Sequence, residues 1–394
     1  MIIVEILIFS YLATYALYNL ILSVGAKIAR KKTFPRSHNY NNIAVLIPGY
    51  KEDAVIEHVV KDALQQSYPS EHYEIIVIAD SFQDATLEKL AKLPIKVIKV
   101  QFERSTKAKA LNAAFEALTD QYEIAVILDA DNLMEKDYLH KINDAYNQGH
   151  HAIQAQRTAK NDTNSFAVLD GISEAINNFI FRKGFNAINV SSTLIGSGMA
   201  FNYKLLKDSL LNIDAVGGFD RELQILVNKA GHKILYLEDA LVYDEKVENP
   251  EVLKNQRRRW ISSQFIYLRK YFFTGLKSLL QFDLNLFSMT IISNVFLPRV
   301  LILALIPLFI LLYALLNTYL HLTPWHYVTI YICIIFSIII AIPAKFINKK
   351  LFRAIFRLPH TMLIMTKSMF TVKGANKKFI HTPHTAPGAT QKNR

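Results

Sequence analysis

Two hydrophobic rhythms alternate between about residues 43 and 131. Short runs rich in Ile and Val, "NNIAVLIPGY", "YEIIVIADS", "PIKVIKVQF" and "YEIAVILDADN", are separated by "EDAVIEHVVKDALQQ", "DATLEKLAKL" and "KAKALNAAFEALTD", where apolar residues recur three and four apart. The first pattern marks buried strands and the second marks helices lying on them. Strand, helix, strand at this spacing predicts an α/β fold with a parallel-rich sheet covered by helices. In open sheets of this kind ligands sit beyond the carboxyl ends of the strands. Three of those ends carry Glu52, Asp80 and the pair Asp129/Asp131.

Three longer apolar stretches flank this soluble pattern. The first, "MIIVEILIFSYLATYALYNLILSVGAKIARKK", is interrupted only by Glu5 and is followed, not preceded, by positive charge. A cleavable signal peptide has the opposite arrangement, so residues 1–26 are expected to be a retained anchor. The second, about Leu284 to Leu320, exceeds the ~20 residues of one span and is broken by Pro298, Arg299 and Pro307. It predicts an interfacial segment followed by a span over about 300–320. The third, about 327–346, predicts the last span. The remaining boundaries expected are a globular domain at 40–260, an interfacial amphipathic helix at 261–283 and a basic tail at 347–394. In that tail "LFRAIFRLPHTMLIMTKSMF" reads as a membrane-surface helix.

Charge sharpens the picture. Five basic and no acidic residues lie between Lys27 and Arg36, and eleven basic and no acidic ones lie between Lys345 and Arg394. With a formal net charge of +12 for the chain, the rest is slightly acidic. A nucleic-acid binder spreads Lys and Arg over a folded face, whereas these runs abut apolar stretches as cytoplasmic flanks do. The pattern therefore argues against a nucleic-acid partner and places the middle domain in the cytoplasm. The single cysteine, Cys333, excludes an intrachain disulfide framework.

The candidate chemistry begins at "LDADN". Residues two apart on a strand face the same way, so Asp129 and Asp131 can aim at one point. A hard divalent cation such as Mg²⁺ relieves their repulsion and bridges to phosphate oxygens. Asp80, at a second strand end, is placed to accept a hydrogen bond from a ring donor of a base. Taken alone, "QRRRW", Gln256 to Trp260, reads as a membrane-surface anchor more readily than as part of an anion site.

The chain resembles the membrane-embedded, inverting family-2 glycosyltransferases, the group of chitin, cellulose, hyaluronan and poly-N-acetylglucosamine synthases. The resemblance rests on "IPGYKED" (47–53), "VIADSFQDAT" (77–86), "KAKALNAA" (107–114), "LDADN" (128–132), "GSGMAF" (196–201), "LEDALVYDE" (237–245) and "QRRRW", in family order over about residues 43–260. It implies a GT-A-like domain that binds a nucleoside-diphosphate sugar, most often UDP-linked. Tyr50 and Glu52 would contact base and ribose, Asp80 the uracil and Lys107 the nucleotide. Asp129 and Asp131 would bind ribose, diphosphate and a Mg²⁺ or Mn²⁺ ion. The catalytic base of the family is the aspartate of a Thr-Glu-Asp motif. Here the spacing from Asp220 to Gly231 matches, with Phe219 where the glutamate is usual. Asp220 is the expected base and Glu222 the next choice, followed by Glu238 or Asp239. An N-cap role for Asp220 is the structural alternative.

Gln256, Arg259 and Trp260 match the family positions at the diphosphate and acceptor sugar. An Arg fork stabilises charge on the leaving group, and an indole face stacks on a sugar ring. Arg257 and Arg258 fall outside the pattern and are expected to be solvated or to face lipid phosphates. Gly196 and Gly198 would form the loop under the acceptor sugar, with Gln156 and Arg157 lining the donor cleft.

The leading expectation is a polysaccharide synthase of a bacterial inner membrane, with UDP-N-acetylglucosamine a possible donor and an oligomer or export partner completing the path outward. The second is a single transfer to a lipid acceptor, and the third a non-catalytic scaffold or nucleotide-sugar sensor.

Overall fold

The computed structural model describes residues 2–119, 121–213, 215, 217–316 and 319–370. The "HTPH" segment, a candidate gate in the tail, lies outside the described residues. Eight strands form one sheet: β1 (Ile43–Tyr50), β2 (Tyr73–Asp80), β3 (Lys96–Val100), β4 (Ile124–Ile127), β5 (Leu133–Met134), β6 (Ala152–Ala159), β7 (Met199–Asn202) and β8 (Leu235–Asp244). Their order is β3-β2-β1-β4-β7-β6-β8-β5. β3, β2, β1 and β4 run parallel. β7 is antiparallel to both β4 and β6, while β6 and β8 pair in parallel across a bulge.

The unbroken Ile/Val runs follow from burial on both faces. Ile43, Val45 and Ile47 of β1 point to one layer of helices and Ala44 and Leu46 to the other. The first layer includes Ile56–Ala63 and Tyr138–Asn147, and the second includes Lys107–Ala117 and Phe219–Lys229. At the edge, β3 is only half-buried and carries Lys96 and Lys99, charges that discourage further strand pairing.

Among the described residues two helices, Ile2–Ile28 and Pro324–Ala341, are long and apolar enough to cross a membrane. A third qualifies if Leu284–Val295 and Arg299–Leu315, bent 56° apart at a short break, count as one span. The last apolar helix stops at Ala341, shorter than the sequence suggests, because Pro343 cannot donate to a continuing ladder. Leu12, Tyr15, Ile302, Ile306, Tyr327 and Ile334 bury one another where these helices meet. Glu5 is tolerated in the first helix because its carboxylate accepts backbone bonds from His321 (2.9 Å) and Leu322 (3.2 Å), in the loop before the helix Pro324–Ala341.

Where sequence pattern suggested a motif segment and a separate interfacial helix, one 31-residue helix, Pro250–Leu280, carries both. Asn249 caps it by accepting from Glu251 N at 2.8 Å, and Pro250 opens its first turn. Near its far end Gly275 admits the crossing segment Ser288–Ile292, since a Cβ there would lie 2.4 Å from Ile291. The helix thus links the globular sheet to the apolar helices as a single lever.

Candidate active site

β1 and β2 end in register, Tyr50 beside Asp80. Directly beyond them Lys51 and Ser81 take positive φ values, 55° and 58°, turning the chain so that Glu52 and Asp80 both face the same cleft. β4 ends at Ile127, so Asp129 and Asp131 reach that edge from the turn beyond it and not from alternate positions on a strand, Asp129 partly exposed and Asp131 buried. The helix starting at Lys107 points its N-terminus there, capped by Thr106 Oγ1 accepting from Lys109 N at 3.2 Å. The cleft has a volume of about 420 Å³, enough for a nucleotide-sized ligand. Tyr50, Glu52, Asp80, Lys107, Asp129 and Asp131 line it on one side, and Gln256, Arg259 and Trp260 on the other.

Charges alternate around this space. Lys107 Nζ donates to an Asp129 carboxylate oxygen and, at 2.8 Å, to the carbonyl of Gly196. Arg157 Nε bonds Glu174 at 2.7 Å and Asp244 at 3.2 Å, and Arg157 Nη1 lies 3.8 Å from Asp129. Burial works against the Arg157 charge, but Asp244, Asp129 and Asp131 outweigh it and its pKa rises. Lys246, almost fully buried, pairs with Glu174 and with Asp244 at 2.6 Å. Burial, reinforced by Arg157, lowers its pKa to about 7. Burial raises that of Asp244 well above the usual carboxylate range, although Arg157 opposes the rise. Asp131 Oδ2 accepts from Glu245 N at 2.8 Å, tying the β4 end to the β8 end.

Asp220 does not line the cleft itself. It lies in the first turn of the helix Phe219–Lys229, whose N-cap is Gly218, so it is not the capping residue. A Cβ on Gly196, where φ is +87°, would come within 3.8 Å of Asp220 Oδ2. Only a glycine thickness therefore separates this carboxylate from the loop that Lys107 holds. Burial raises the Asp220 pKa, while Arg221, Lys107 and Arg157 pull it down. Phe219 is packed in the core with Lys107 Nζ 5.6 Å above its ring. Gly198, φ +60°, lies against Val242 and Gln154.

Glu222 points elsewhere. It is buried and engaged by Lys270 and by the Tyr271 hydroxyl (2.7 Å) on the long helix. Glu238 pairs with Lys183 at 2.9 Å and Asp239 with Lys31 at 3.8 Å, neither in the cleft. Arg257 departs from the solvated position expected for it: it pairs with Asp170 and stacks over the Trp260 ring at 4.1 Å, bracing that ring at the cleft mouth. Burial lowers the Arg259 pKa. The buried Gln256 Oε1 has no hydrogen-bond partner among the described residues. Sequence reasoning gave no role to Asp244, inside the quoted "LEDALVYDE", or to Lys246, although the strand-end rule, applied to "LVYDEK" where β8 ends, points to both.

The model of the family described as glycosyltransferase-like family 2 matches residues 40–263. The chain belongs to that family. The transferase has a GT-A-like fold with a mixed, parallel-rich sheet. It is 24% identical over 279 residues to the probable glycosyltransferase YdaM of Bacillus subtilis, covering 63% of this chain and 62% of the relative. It is 25% identical over 234 residues to the beta-monoglucosyldiacylglycerol synthase of Nostoc, covering 55% and 48%. The chain thus spans about half to three-fifths of these relatives' length. A mannosyltransferase from Pyrobaculum calidifontis, solved with GDP-mannose and Mn²⁺, superposes over 84% of this transferase and 97% of its own chain at 18% identity and a TM-score of 0.47.

Proposed function

We propose that this transferase moves a sugar from a nucleoside diphosphate, with inversion, to a lipid acceptor at a cytoplasmic membrane surface. The observation carrying the proposal is the single helix Pro250–Leu280, which presents Gln256, Arg259 and Trp260 to the cleft and runs on into the apolar helices. An acceptor confined to that boundary meets the donor at Trp260. The buried contact of the three apolar helices favours a single transfer over extrusion of a polymer, because apolar side chains fill the space where they meet. The glycolipid synthase among the relatives points the same way.

In this reading Tyr50, Glu52 and Asp80 hold base and ribose. Lys107, Arg157 and Arg259 face the diphosphate, where charge-assisted bonds strengthen as the leaving group gains charge. The hard oxygens of Asp129 and Asp131, which share one edge of the cleft, fit a divalent cation. Such an ion would supply Lewis-acid stabilisation of the leaving diphosphate. Asp220 takes the proton of the acceptor hydroxyl as its oxygen attacks the anomeric carbon and the sugar–phosphate bond breaks.

A second reading, a polysaccharide synthase with the same donor chemistry, is favoured by "QRRRW". One experiment separates the two: purified transferase in nanodiscs with Mg²⁺ or Mn²⁺ is offered radiolabelled nucleotide sugars with and without membrane lipid extract. A short chloroform-soluble product that requires the extract supports lipid transfer, and a long insoluble polymer replaces that reading with the second.

A further inference from the structure

A second cavity, about 350 Å³, opens on the far side of Arg157 from the donor cleft. Its walls have two characters. One is apolar, from Ile340, Ala341, Ile342 and Phe346 where the last apolar helix ends, together with Phe179. The other is basic, from Lys27 at the end of the first apolar helix, Lys183, Lys345 and Arg157, against a single acidic residue, Glu238. Glu238 is already paired with Lys183 at 2.9 Å, and Arg157 with Glu174 and Asp244, so the surplus positive charge of the cavity is that of Lys27 and Lys345. The polar floor is built: Asn178 Nδ2 donates to the Arg157 carbonyl at 2.9 Å and Tyr236 Oη to Gln156 Oε1 at 3.0 Å. Asn178, Phe179 and Lys183 stand on a seven-residue π-helical turn, Asn178–Gly184, a distortion often met at functional sites, although Ser288–Ile292 forms another outside either cavity.

We infer that this cavity binds the headgroup of an anionic phospholipid, with the acyl chains running up beside Ile340 and Phe346. A basic pocket between apolar helices on the cytoplasmic side is the setting in which phosphate headgroups bind. A zwitterionic lipid would bring a second positive charge into a wall that already has an excess. The ligand is not the sugar acceptor, because Asp129, Asp131, Arg259 and Trp260 line the donor cleft and no part of this cavity. Arg157 forms a wall of both spaces, so an occupied headgroup site steadies the side chain that also faces Asp129.

Native mass spectrometry of the full chain tests the inference without turnover, so its outcome is independent of the proposed reaction. Detergent-exchanged protein is incubated with phosphatidylglycerol, phosphatidylcholine or inorganic phosphate. Retention of one phosphatidylglycerol per chain, with phosphatidylcholine lost, is the expected result. Lys27→Glu with Lys345→Glu, both at exposed positions, lowers retention by about tenfold or more, given roughly 1 kcal/mol per basic residue at an anionic surface. Ala175→Phe, which fills the cavity without changing charge, abolishes it, and Lys277→Glu, a basic residue outside the cavity, leaves it intact. Equal retention of phosphatidylcholine, equal retention by the double variant, equal loss in Lys277→Glu, or displacement of the lipid by inorganic phosphate would each overturn the inference.

Discussion

Replacing Asp220 by asparagine removes one charge and one proton acceptor while keeping the side-chain shape. A positioned general base contributes ~10²–10⁴-fold, so kcat should fall by that factor, about 3–5 kcal/mol of barrier. Donor binding should move the other way. The carboxylate opposes an anionic diphosphate across the Gly196 loop, near Lys107 and Arg157. A unit charge ~10 Å away at an effective dielectric of ~20 is worth roughly 1.5 kcal/mol, so the donor Kd should drop by up to about tenfold. The pH dependence supplies a further check. Burial raises the Asp220 pKa, and the base acts only when ionised. Activity of the unaltered enzyme should therefore decline with acidification at a midpoint above the ordinary aspartate value near 4, and Asp220→Asn should lose that limb. Single-turnover rates across pH, with donor binding by calorimetry, measure both quantities. A kcat loss smaller than about tenfold, or a weakened donor Kd, would refute the assignment of Asp220 as the base.

Gly196→Ala should reduce kcat, because a side chain at φ +87° is strained and the loop that Lys107 holds beside Asp220 must shift to relieve it, the added Cβ itself meeting Asp220 and Phe219 only at ordinary contact distance; steady-state kinetics with circular dichroism checks it. Arg157→Met should destabilise the transferase by about 3–5 kcal/mol, since it leaves the buried Asp244 and the partly buried Glu174 with Lys246 as their remaining close cation, and thermal unfolding in detergent reads the loss. Chelation with EDTA should abolish transfer and Mn²⁺ or Mg²⁺ should restore it, whereas Asp129→Asn with Asp131→Asn should show no restoration at any metal concentration. Trp260→Ala should raise the acceptor KM more than the donor KM, because the ring stands at the cleft mouth against Arg257.

Much of the fold was legible because its strands are buried on both faces. Continuous Ile/Val runs such as Ile43–Ile47 have few alternatives to a covered parallel strand, and the strand-end rule points from them to Asp80, Asp129 and Asp131, which line the cleft. Local pattern also marked the apolar helices, whose composition is itself their signal. Contacts between residues far apart in sequence were hidden. β7, Met199–Asn202, inserts antiparallel between β4 and β6 with four residues, too short a run to announce its pairing. Glu222 and Asp220 sit two apart in one helical turn, and sequence could rank but not separate them. The packing of Lys270 and Tyr271 turns the first away while the Gly196 loop receives the second. Arg257 looked like surface charge until Asp170, 87 residues earlier, took it inside. By itself the sequence determined which residue types reach the strand ends, because periodicity and burial are local properties. Only the tertiary structure decided which charges pair across the cleft and where the second cavity opens, because those depend on side chains that meet only once the sheet and the long helix have packed.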